Sequence, residues 1–257
     1  MYSRYIVALL VSFILLGCST VKDPYAHIAD AQAQSILKKS IKAYGGLSKW
    51  NSKQYLSFKK WYALYDATGA EEVSVNQVHH YTPSKIYMTW QDDGDKIEQI
   101  HTEGVFKKLK NGKLEGDVNA TQVKNSILAA TFVMNVPFNL LDETATITYE
   151  GEVDFNDSKV HVLRVEYFPE KHDHHTTKDI WWHYFDTQSF LSTGYKVKHL
   201  DHISQVSNDS FIKKGGLVLP GKRSSYRLKL NGEREYLRAA YEYNDYKVTY
   251  DDIGQLD

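Results

Sequence analysis

One stretch of the chain decides the predicted fold class: residues Tyr55–Tyr81 are YLSFKKWYALYDATGAEEVSVNQVHHY. Over Tyr55–Tyr65, and again over Glu72–Tyr81, the side chains follow a period of two, which is typical of a strand with two different faces. Between them lies Asp66–Gly69, a short polar segment that ends in glycine, as tight turns often do. The stretch therefore predicts an antiparallel hairpin.

The same period continues through the rest of the chain, with helical patterns at Ala26–Tyr44 and Ala120–Met134. Further strands are predicted at Lys85–Gln91, Asp95–Thr102, Val105–Lys110, Thr144–Glu150, Lys159–Tyr167, Asp179–Phe185, Gly194–Ile203, Ser204–Lys213, Lys222–Leu230 and Tyr236–Asn244. Strands and helices do not alternate. A total of about eleven or twelve strands therefore indicates a mainly β (α+β) fold, with one antiparallel sheet curled around a core.

The composition excludes several classes of protein. The 257 residues include 31 basic and 32 acidic side chains, and 13% of them are aromatic. Aromatic residues at this density supply apolar surface that a disordered chain lacks. The near-neutral charge argues against nucleic acid as a partner, and the single cysteine excludes a disulfide framework within the chain.

The N-terminus has a pattern of its own. Tyr5–Leu16 carries no charge and follows Arg4, but it is too short for a membrane span of about 20 residues. It leads to Gly17 and Cys18, and this ending resembles the bacterial lipobox. In that motif the chain is cut before the cysteine, whose thiol receives a diacylglycerol. The alternative is an ordinary secreted protein with a chance cysteine at this position.

The lipobox resemblance implies a division of the chain and a location. Residues 1–17 would be a lipoprotein signal peptide, 18–27 the lipidated Cys18 with its tether, and 28–257 a single domain. In the best-known sorting rule an aspartate after the lipidated cysteine retains a protein at the inner membrane. Ser19 stands there instead, which favours attachment to the outer membrane, facing the periplasm.

The segment Lys171–His183, KHDHHTTKDIWWH, is the densest polar cluster. In an extended chain His172 and His174 point to one side and could bind a metal, with His183 or Asp179 as a third ligand. Such pairs lack the fixed spacing of a strong zinc motif, so a solvated hairpin loop is the competing interpretation. The sequence contains neither a GxSxG nor a GxxxxGK[ST] motif. We therefore expect neither an enzyme nor a bound cofactor.

The aromatic residues leave two interpretations open. They occupy adjacent or alternate positions on the predicted strands, so both faces of the sheet need apolar cover. One interpretation is a well-packed sheet with tyrosines on its solvated face. The other is that the concave face encloses an apolar cavity for an acyl chain or a similar ligand, as curled sheets can.

Several short motifs in a fixed order resemble the LolA/LolB-like superfamily of outer-membrane lipoprotein sorting, and in particular a branch whose members are lipoproteins. The match extends from Ile28 to Tyr250. The motifs are ILKKSIKAYGGLSKW at Ile36–Trp50, YLSF at Tyr55–Phe58, FVMNVPFNLLD at Phe132–Asp142, KDIW at Lys178–Trp181, GLVLP at Gly216–Pro220 and YEYNDY at Tyr241–Tyr246.

The resemblance implies a half-open β-barrel of about eleven antiparallel strands, with helices covering the concave face. Its cavity holds the acyl chains of lipoproteins in the well-known members. Wall residues would then be Trp61, Trp90 and Trp181. Residues of the lid or plug would be Ile36, Leu37, Ile41, Leu128, Phe132, Val133 and Phe138. We find no counterpart of the protruding apolar loop of the membrane-anchored receptor.

The sequence thus predicts a non-enzymatic, lipid-anchored domain that binds an acyl chain, lipid or lipoprotein in an apolar concavity. Two other classes of function stay open. One is a metal-assisted hydrolase that uses His172, His174 and His183, and the other is a structural envelope subunit that binds another protein. The oligomeric state is left open.

Overall fold

The computed structural model describes residues 23–116, 120–168, 179–199 and 201–250. Within these ranges thirteen strands form one sheet, and all neighbouring strands are antiparallel. The strands are β1 Tyr55–Tyr65, β2 Glu71–Tyr81, β3 Lys85–Asp92, β4 Asp95–Thr102, β5 Val105–Lys110, β6 Lys113–Leu114, β7 Ala145–Phe155, β8 Ser158–Tyr167, β9 Ile180–Asp186, β10 Ser192–Lys198, β11 Ile203–Lys214, β12 Leu217–Leu228 and β13 Arg234–Thr249.

The order of the strands is β6-β5-β4-β3-β2-β1-β13-β12-β11-β10-β9-β8-β7. Strands β6 and β7 form the two edges, so the sheet is open rather than closed into a barrel. The predicted mainly β, antiparallel, half-open architecture is confirmed. The prediction of about eleven strands was too low, partly because β6 has only two residues, too few to show a period.

The helices in the described residues are α1 Ala31–Ala43, α2 Leu47–Ser52, α3 Ala120–Met134 and a 3-10 helix, Phe138–Leu141. The sequence predicted only two of them. None of the described helices has the length and apolar character that crossing a membrane requires. The predicted signal peptide, and with it Cys18, lies outside the described residues.

Helix α1 begins at Ala31, later than the predicted Ala26, because Asp30 caps it. Asp30 Oδ1 accepts hydrogen bonds from the backbone N–H groups of Gln32 and Ala33, at 2.9 and 3.0 Å. Its Oδ2 accepts a third from the N–H of Tyr149 in β7, at 2.9 Å. These backbone bonds lower the pKa of Asp30. One carboxylate therefore starts the helix and ties it to an edge strand.

The other end of α1 is fixed to the middle of the sheet. Val218 N–H, in β12, donates to the carbonyl of Tyr44 at 3.1 Å. Gly45 follows with a φ of +112°, and a Cβ at this position would clash with the carbonyl oxygen of Gly216. A glycine just after the helix therefore permits this close approach of two backbones.

The core lies between the helices and one face of the sheet. Ile36, Leu37 and Ile41 of α1 are at most 2% exposed, and they belong to the same buried cluster as Phe58 of β1 and Phe185 of β9. Because strand side chains alternate, Leu56, Phe58, Lys60 and Tyr62 share the inner face of β1, while Lys59 and Trp61 face outward. Helix α1 therefore fills much of the concave face.

The segment 115–144, which contains α3 and the 3-10 helix, joins the two edge strands. Near β4, Val123 and Ile127 of α3 pack on Met88, and Ser126 Oγ donates to Gln99 Oε1 at 3.0 Å. At the other end of the helix, Phe132 joins the main core. Helix α3 therefore crosses the concave face from one half of the sheet towards the other.

Candidate functional site

Helix α3 separates two cavities. One helix face, continued by the residue that follows the helix, lines the first cavity with Leu128, Thr131, Phe132 and Asn135. Residues of a second face line the other: Ser126, Ala129, Ala130 and Val133. Each set has the spacing i, i+3, i+4, i+7, which places its members along one stripe of an α-helix. We call the first the aromatic cavity and the second the cationic cavity.

The aromatic cavity has a volume of about 510 Å³, within the range of about 300–1,000 Å³ that is usual for small-molecule sites. The rings of Trp50 and Phe138 stack along it, with centroids 4.3 Å apart and an interplanar angle of 4°. Lys53 Nζ lies 3.4 Å from the Trp50 ring centroid, and burial lowers the pKa of Lys53 to about 8. The remaining lining residues are Pro24, Leu47, Asn51, Asn139, Leu141 and Asp142.

The cationic cavity, of about 310 Å³, lies between α3 and the inner face of the sheet. Ser126 and Ala129 on its helical side are exposed, so solvent reaches the cavity along α3. Seven strands supply its other walls. Their lining residues are Lys60, Tyr62, Gln77, Met88, Tyr195, Val206, Arg223, Tyr241 and Tyr243.

Arg223 of β12 is buried, with 5% of its surface exposed. Its Nε donates to Asn208 Oδ1 at 2.8 Å, and its Nη2 donates to the carbonyl of Val133 in α3 at 2.9 Å. Nη1 makes no hydrogen bond to a described residue. The guanidinium lies 5.5 Å from the ring centroid of Tyr243. Arg223 therefore links the sheet to α3, and its Nη1 donor group is unpaired among the described residues.

Lys60 of β1 is the second cation of this cavity. Its Nζ lies 4.7 Å from the ring centroid of Tyr62 and 5.4 Å from that of Tyr241. Burial, together with the positive charge of Arg223, lowers the pKa of Lys60 to about 8. Within the described part of the chain, neither Lys60 nor Arg223 forms an ion pair with a carboxylate.

Phenol groups surround the two cations. Burial raises the pKa of Tyr195 to about 12 and also raises the pKa of Tyr243. For Tyr62, burial is the larger cause of a raised pKa, and the charge of Asp92 adds to it. These hydroxyl groups therefore keep their protons near neutral pH and are available as hydrogen-bond donors. Together with the cations they favour a negatively charged oxygen.

His183, a predicted metal ligand, lies in the core. It is fully buried, and neither ring nitrogen has a hydrogen-bond partner among the described residues. The imidazole stacks on Trp181, at 6.0 Å, and burial lowers the pKa of His183 to about 3. Asp179, the alternative ligand, forms a hydrogen bond with His199 instead: its Oδ2 lies 3.0 Å from Nδ1 of His199.

The described residues contain no group of three His, Cys, Asp or Glu side chains that could hold a metal ion. His172 and His174 lie outside the described residues. The metal site inferred from the histidine-rich segment therefore stays a prediction.

Comparison with known proteins gives matches only at the level of structure. No family model matches the sequence, and no curated protein matches it significantly. A LolA superfamily protein of Nitrosomonas europaea superposes with a TM-score of 0.50 and 12% identity, over 84% of this chain and 92% of that one. A Vibrio parahaemolyticus domain described as an outer-membrane lipoprotein-sorting protein superposes with a TM-score of 0.51 and 8% identity, over 88% and 94%. The chain has a LolA-like fold. At these identities the likeness concerns the fold alone.

The LolA-like fold places the predicted lid and plug residues in three environments. Ile36, Leu37 and Ile41 of α1 are buried in the core. Around the aromatic cavity lie Leu128, Phe132 and Phe138. Val133 lines the cationic cavity, where its carbonyl binds Arg223. Their role in ligand binding stays a prediction.

The three predicted wall tryptophans do not lie together in the LolA-like fold. Trp181 is buried and packs 5.0 Å from the ring of Phe132. Trp90 is half-buried and shares a face of β3 with Met88. Trp61 lies on the face of β1 opposite to Lys60, where its Nε1 donates to Ser74 Oγ at 3.0 Å. None of the three lines either cavity, and their role in ligand binding also stays a prediction.

The sequence reasoning overlooked Trp50, Lys60 and Arg223. A signal for Lys60 was available, because it follows Leu56 and Phe58 at intervals of two and so belongs to their apolar face. The same holds for Arg223, which follows Leu217 and Leu219. A cation at an inward position of a strand deserves notice, since buried charges are rare unless they are paired or functional.

Proposed function

We propose that this chain is a lipid-anchored protein of the cell envelope, facing the periplasm, that binds a hydrophobic ligand beneath its helices. The ligand would be an acyl chain, a lipid or the lipid part of a lipoprotein. The observation that carries the proposal is the aromatic cavity of about 510 Å³ beside α3. The apolar side chains of its lining, which include Leu47, Leu128, Phe132 and Leu141, suit a hydrocarbon chain.

Two further observations support the proposal. The ending of the leader at Gly17 and Cys18 has the pattern of a lipobox, and several acyl chains at about 0.8 kcal/mol per buried methylene give lasting membrane attachment. The fold is that of proteins one of which is described as sorting outer-membrane lipoproteins. A part in lipoprotein or lipid trafficking at the outer membrane is the role we propose for this chain as well. The proposal includes no chemical step.

Native mass spectrometry of the full chain, released from micelles of a nonionic detergent, tests the proposal. We expect the protein to carry an additional lipid-sized mass that collisional activation removes, whereas a thioether-linked lipid on Cys18 would stay attached. The same preparation should bind a fluorescent C16 fatty acid that an unlabelled one displaces. A protein without removable mass and without displaceable binding would refute the proposal.

A pair of variants of α3 locates the ligand. Thr131→Phe places a ring in the aromatic cavity, and we expect at least tenfold weaker binding of the fluorescent fatty acid because that space is then filled. Asn125→Phe is the matched control, since Asn125 is exposed and does not line the cavity. Equal affinities of the two variants would place the ligand elsewhere.

A further inference from the structure

The cationic cavity contains two positive charges that the described residues do not neutralise. Hydrogen bonds to Asn208 and Val133 give Arg223 a part in joining the sheet to α3, whereas a strand position that faces a core, such as that of Lys60, is usually apolar. Removing a charge from water without a partner is costly, so such groups are retained chiefly where they have a function. Repulsion between Lys60 and Arg223 adds to this cost and contributes to the lowered pKa of Lys60. A ligand of opposite charge would relieve both penalties.

The arrangement of donors suits an oxyanion. Arg223 is held in place by its bonds to Asn208 and Val133, and its buried Nη1 has no hydrogen-bond partner among the described residues. A planar guanidinium with a free donor matches the oxygen atoms of a carboxylate or phosphate group. Lys60 adds three rotatable donors, and the protonated hydroxyls of the surrounding tyrosines can add more.

The remaining wall of the cavity is apolar. Met88, Ala129, Ala130, Val133 and Val206 line it beside the polar groups, and one side opens to solvent at Ser126 and Ala129. An anion that enters there would meet both the two cations and the hydrocarbon side chains. Such a cavity fits the charged end of an amphiphile better than a small, fully hydrated ion.

We infer that the cavity around Lys60 and Arg223 is a head-group site, which binds the carboxylate or phosphate of an anionic amphiphile. This inference rests on the proposed function and narrows it: the ligand is an acidic lipid rather than a neutral acyl chain. Electrostatic recognition of the head group would select among ligands whose hydrocarbon parts are the same.

A matched pair of probes tests the inference on the full chain in nonionic detergent. The probes are a fluorescent C16 fatty acid and its methyl ester, which differ in the charge of the head group. We expect the acid to bind about tenfold more tightly than the ester, since a hydrogen bond between charged groups is worth about that factor. Inorganic phosphate and acetate, titrated against the bound acid, show whether a free anion occupies the same site.

Two variants assign the preference to the cavity. Lys60→Met keeps the length of the side chain and removes its charge, and we expect it to reduce the preference for the acid to about threefold or less. Lys59→Met is the control, because the neighbouring Lys59 lies on the outer face and pairs with Asp245 at 2.7 Å. The control should keep the full preference for the acid. Circular dichroism and thermal unfolding show whether both variants are folded.

The outcomes separate the two proposals. A preference for the acid that Lys60→Met abolishes and Lys59→Met keeps supports the head-group site. Equal binding of acid and ester, or a preference that Lys60→Met leaves intact, overturns the head-group site and leaves the proposed function standing. Binding of phosphate that depends on Lys60, without binding of either probe, supports an anion site and overturns the proposed lipid ligand. No binding of probes, phosphate or acetate overturns both.

Discussion

The two cavities on either side of α3 differ in chemistry although one helix lines both. The aromatic cavity is built from stacked rings, with Phe138 and Trp50 in contact over their faces. The cationic cavity instead contains the charged groups of Arg223 and Lys60, which tyrosine side chains surround. The first environment favours hydrocarbon and the second favours negative charge. The amphiphile proposed as the ligand has both properties, an apolar chain and a charged head group.

The two cavities should also differ in whether a substitution changes the stability of the protein or its choice of ligand. Side chains of the aromatic cavity belong to the main core, so changing them alters the free energy of unfolding. In the other cavity Arg223 also ties α3 to the sheet, whereas Lys60 chiefly adds an electrostatic cost. Substitutions in the aromatic cavity should therefore affect folding, and substitution of Lys60 should affect the choice of ligand.

The largest expected effect is on the aromatic side. Phe138→Ala removes a ring that is 7% exposed, stacks on Trp50 and meets Tyr44 edge-on at 6.4 Å. We expect a loss of about 3–5 kcal/mol in the free energy of unfolding, measured by urea denaturation. Leu230→Ala, at a position that is 94% exposed, is the control and should change it by at most about 0.5 kcal/mol. A loss in Phe138→Ala as small as that of the control would contradict the structural role of the ring stack.

The next largest effect concerns the pH dependence of stability and the buried His183. Its ring centroid lies 6.0 Å from that of Trp181 and 5.8 Å from that of Tyr195. Burial lowers its pKa to about 3 in the folded protein, whereas an unfolded histidine takes up its proton near pH 6.5. The folded state thus keeps the neutral form, and stability is lost as the pH falls from about 6.5 towards about 3. The expected slope is about 1.4 kcal/mol per pH unit.

His183→Met removes this dependence, because a thioether does not titrate and fills irregular space well. Urea denaturation between pH 7.5 and pH 4.5 should show a smaller acid-induced loss in the variant than in the wild type, while the contribution of buried His79 remains in both. Identical slopes would show that the His183 ring is solvated or paired in solution.

A smaller effect is expected on the cationic side. The pKa of Lys60 is lowered to about 8, so its charge is present below that pH and is lost above it. The loss of the charge of Lys60 should reduce the preference for the acidic probe by up to about tenfold between pH 7 and pH 9. Lys60→Met should show no such change. The titratable groups that face Lys60 from its own and neighbouring strands are Tyr62, His79, Tyr195, Arg223, Tyr241 and Tyr243.

Those neighbours leave Lys60 as the group that titrates between pH 7 and pH 9. Burial raises the pKa of the tyrosines and lowers that of His79, and arginine stays charged throughout. A pH-independent preference for the acid in the wild type would mean that Lys60 does not touch the head group.

The smallest effect belongs to neither cavity. Trp61→Phe removes the hydrogen bond to Ser74 on the outer face of β1 and should cost about 1 kcal/mol of stability. Because Trp61 lies opposite to Lys60, the affinities for both probes should be unchanged. A clear loss of affinity would show that the sequence-based assignment of Trp61 to the wall is correct and that the ligand reaches beyond the two cavities.

Much of the fold followed from the period of the sequence. The predicted bounds of Tyr55–Tyr65, Asp95–Thr102 and Val105–Lys110 are those of the structure, because each strand has unlike faces and ends at a turn residue. Helix α2 was missed, since its six residues are too few for a helical period and Gly46 provides no capping side chain. The start of β12 was also placed too late. Pro220 lies inside this strand, and proline usually argues against a strand interior.

The site could be predicted only in part. Leu128, Phe132 and Phe138 were proposed from the resemblance and do line a cavity. Which aromatic side chains meet depends on the curvature of the sheet and on the path of α3, and neither is encoded in a local pattern. Lys60 and Arg223 lie far apart in the sequence, and only the pairing of β1, β13 and β12 brings them into one cavity.

The path of the segment 115–144 has a mechanical consequence. The sheet is open, and its two edge strands, β6 and β7, are consecutive in the chain. The segment between them contains α3. Helix α3 packs on Met88 near one end and belongs to the main core through Phe132 at the other. A ligand that displaces α3 would therefore break contacts with both halves of the sheet at once.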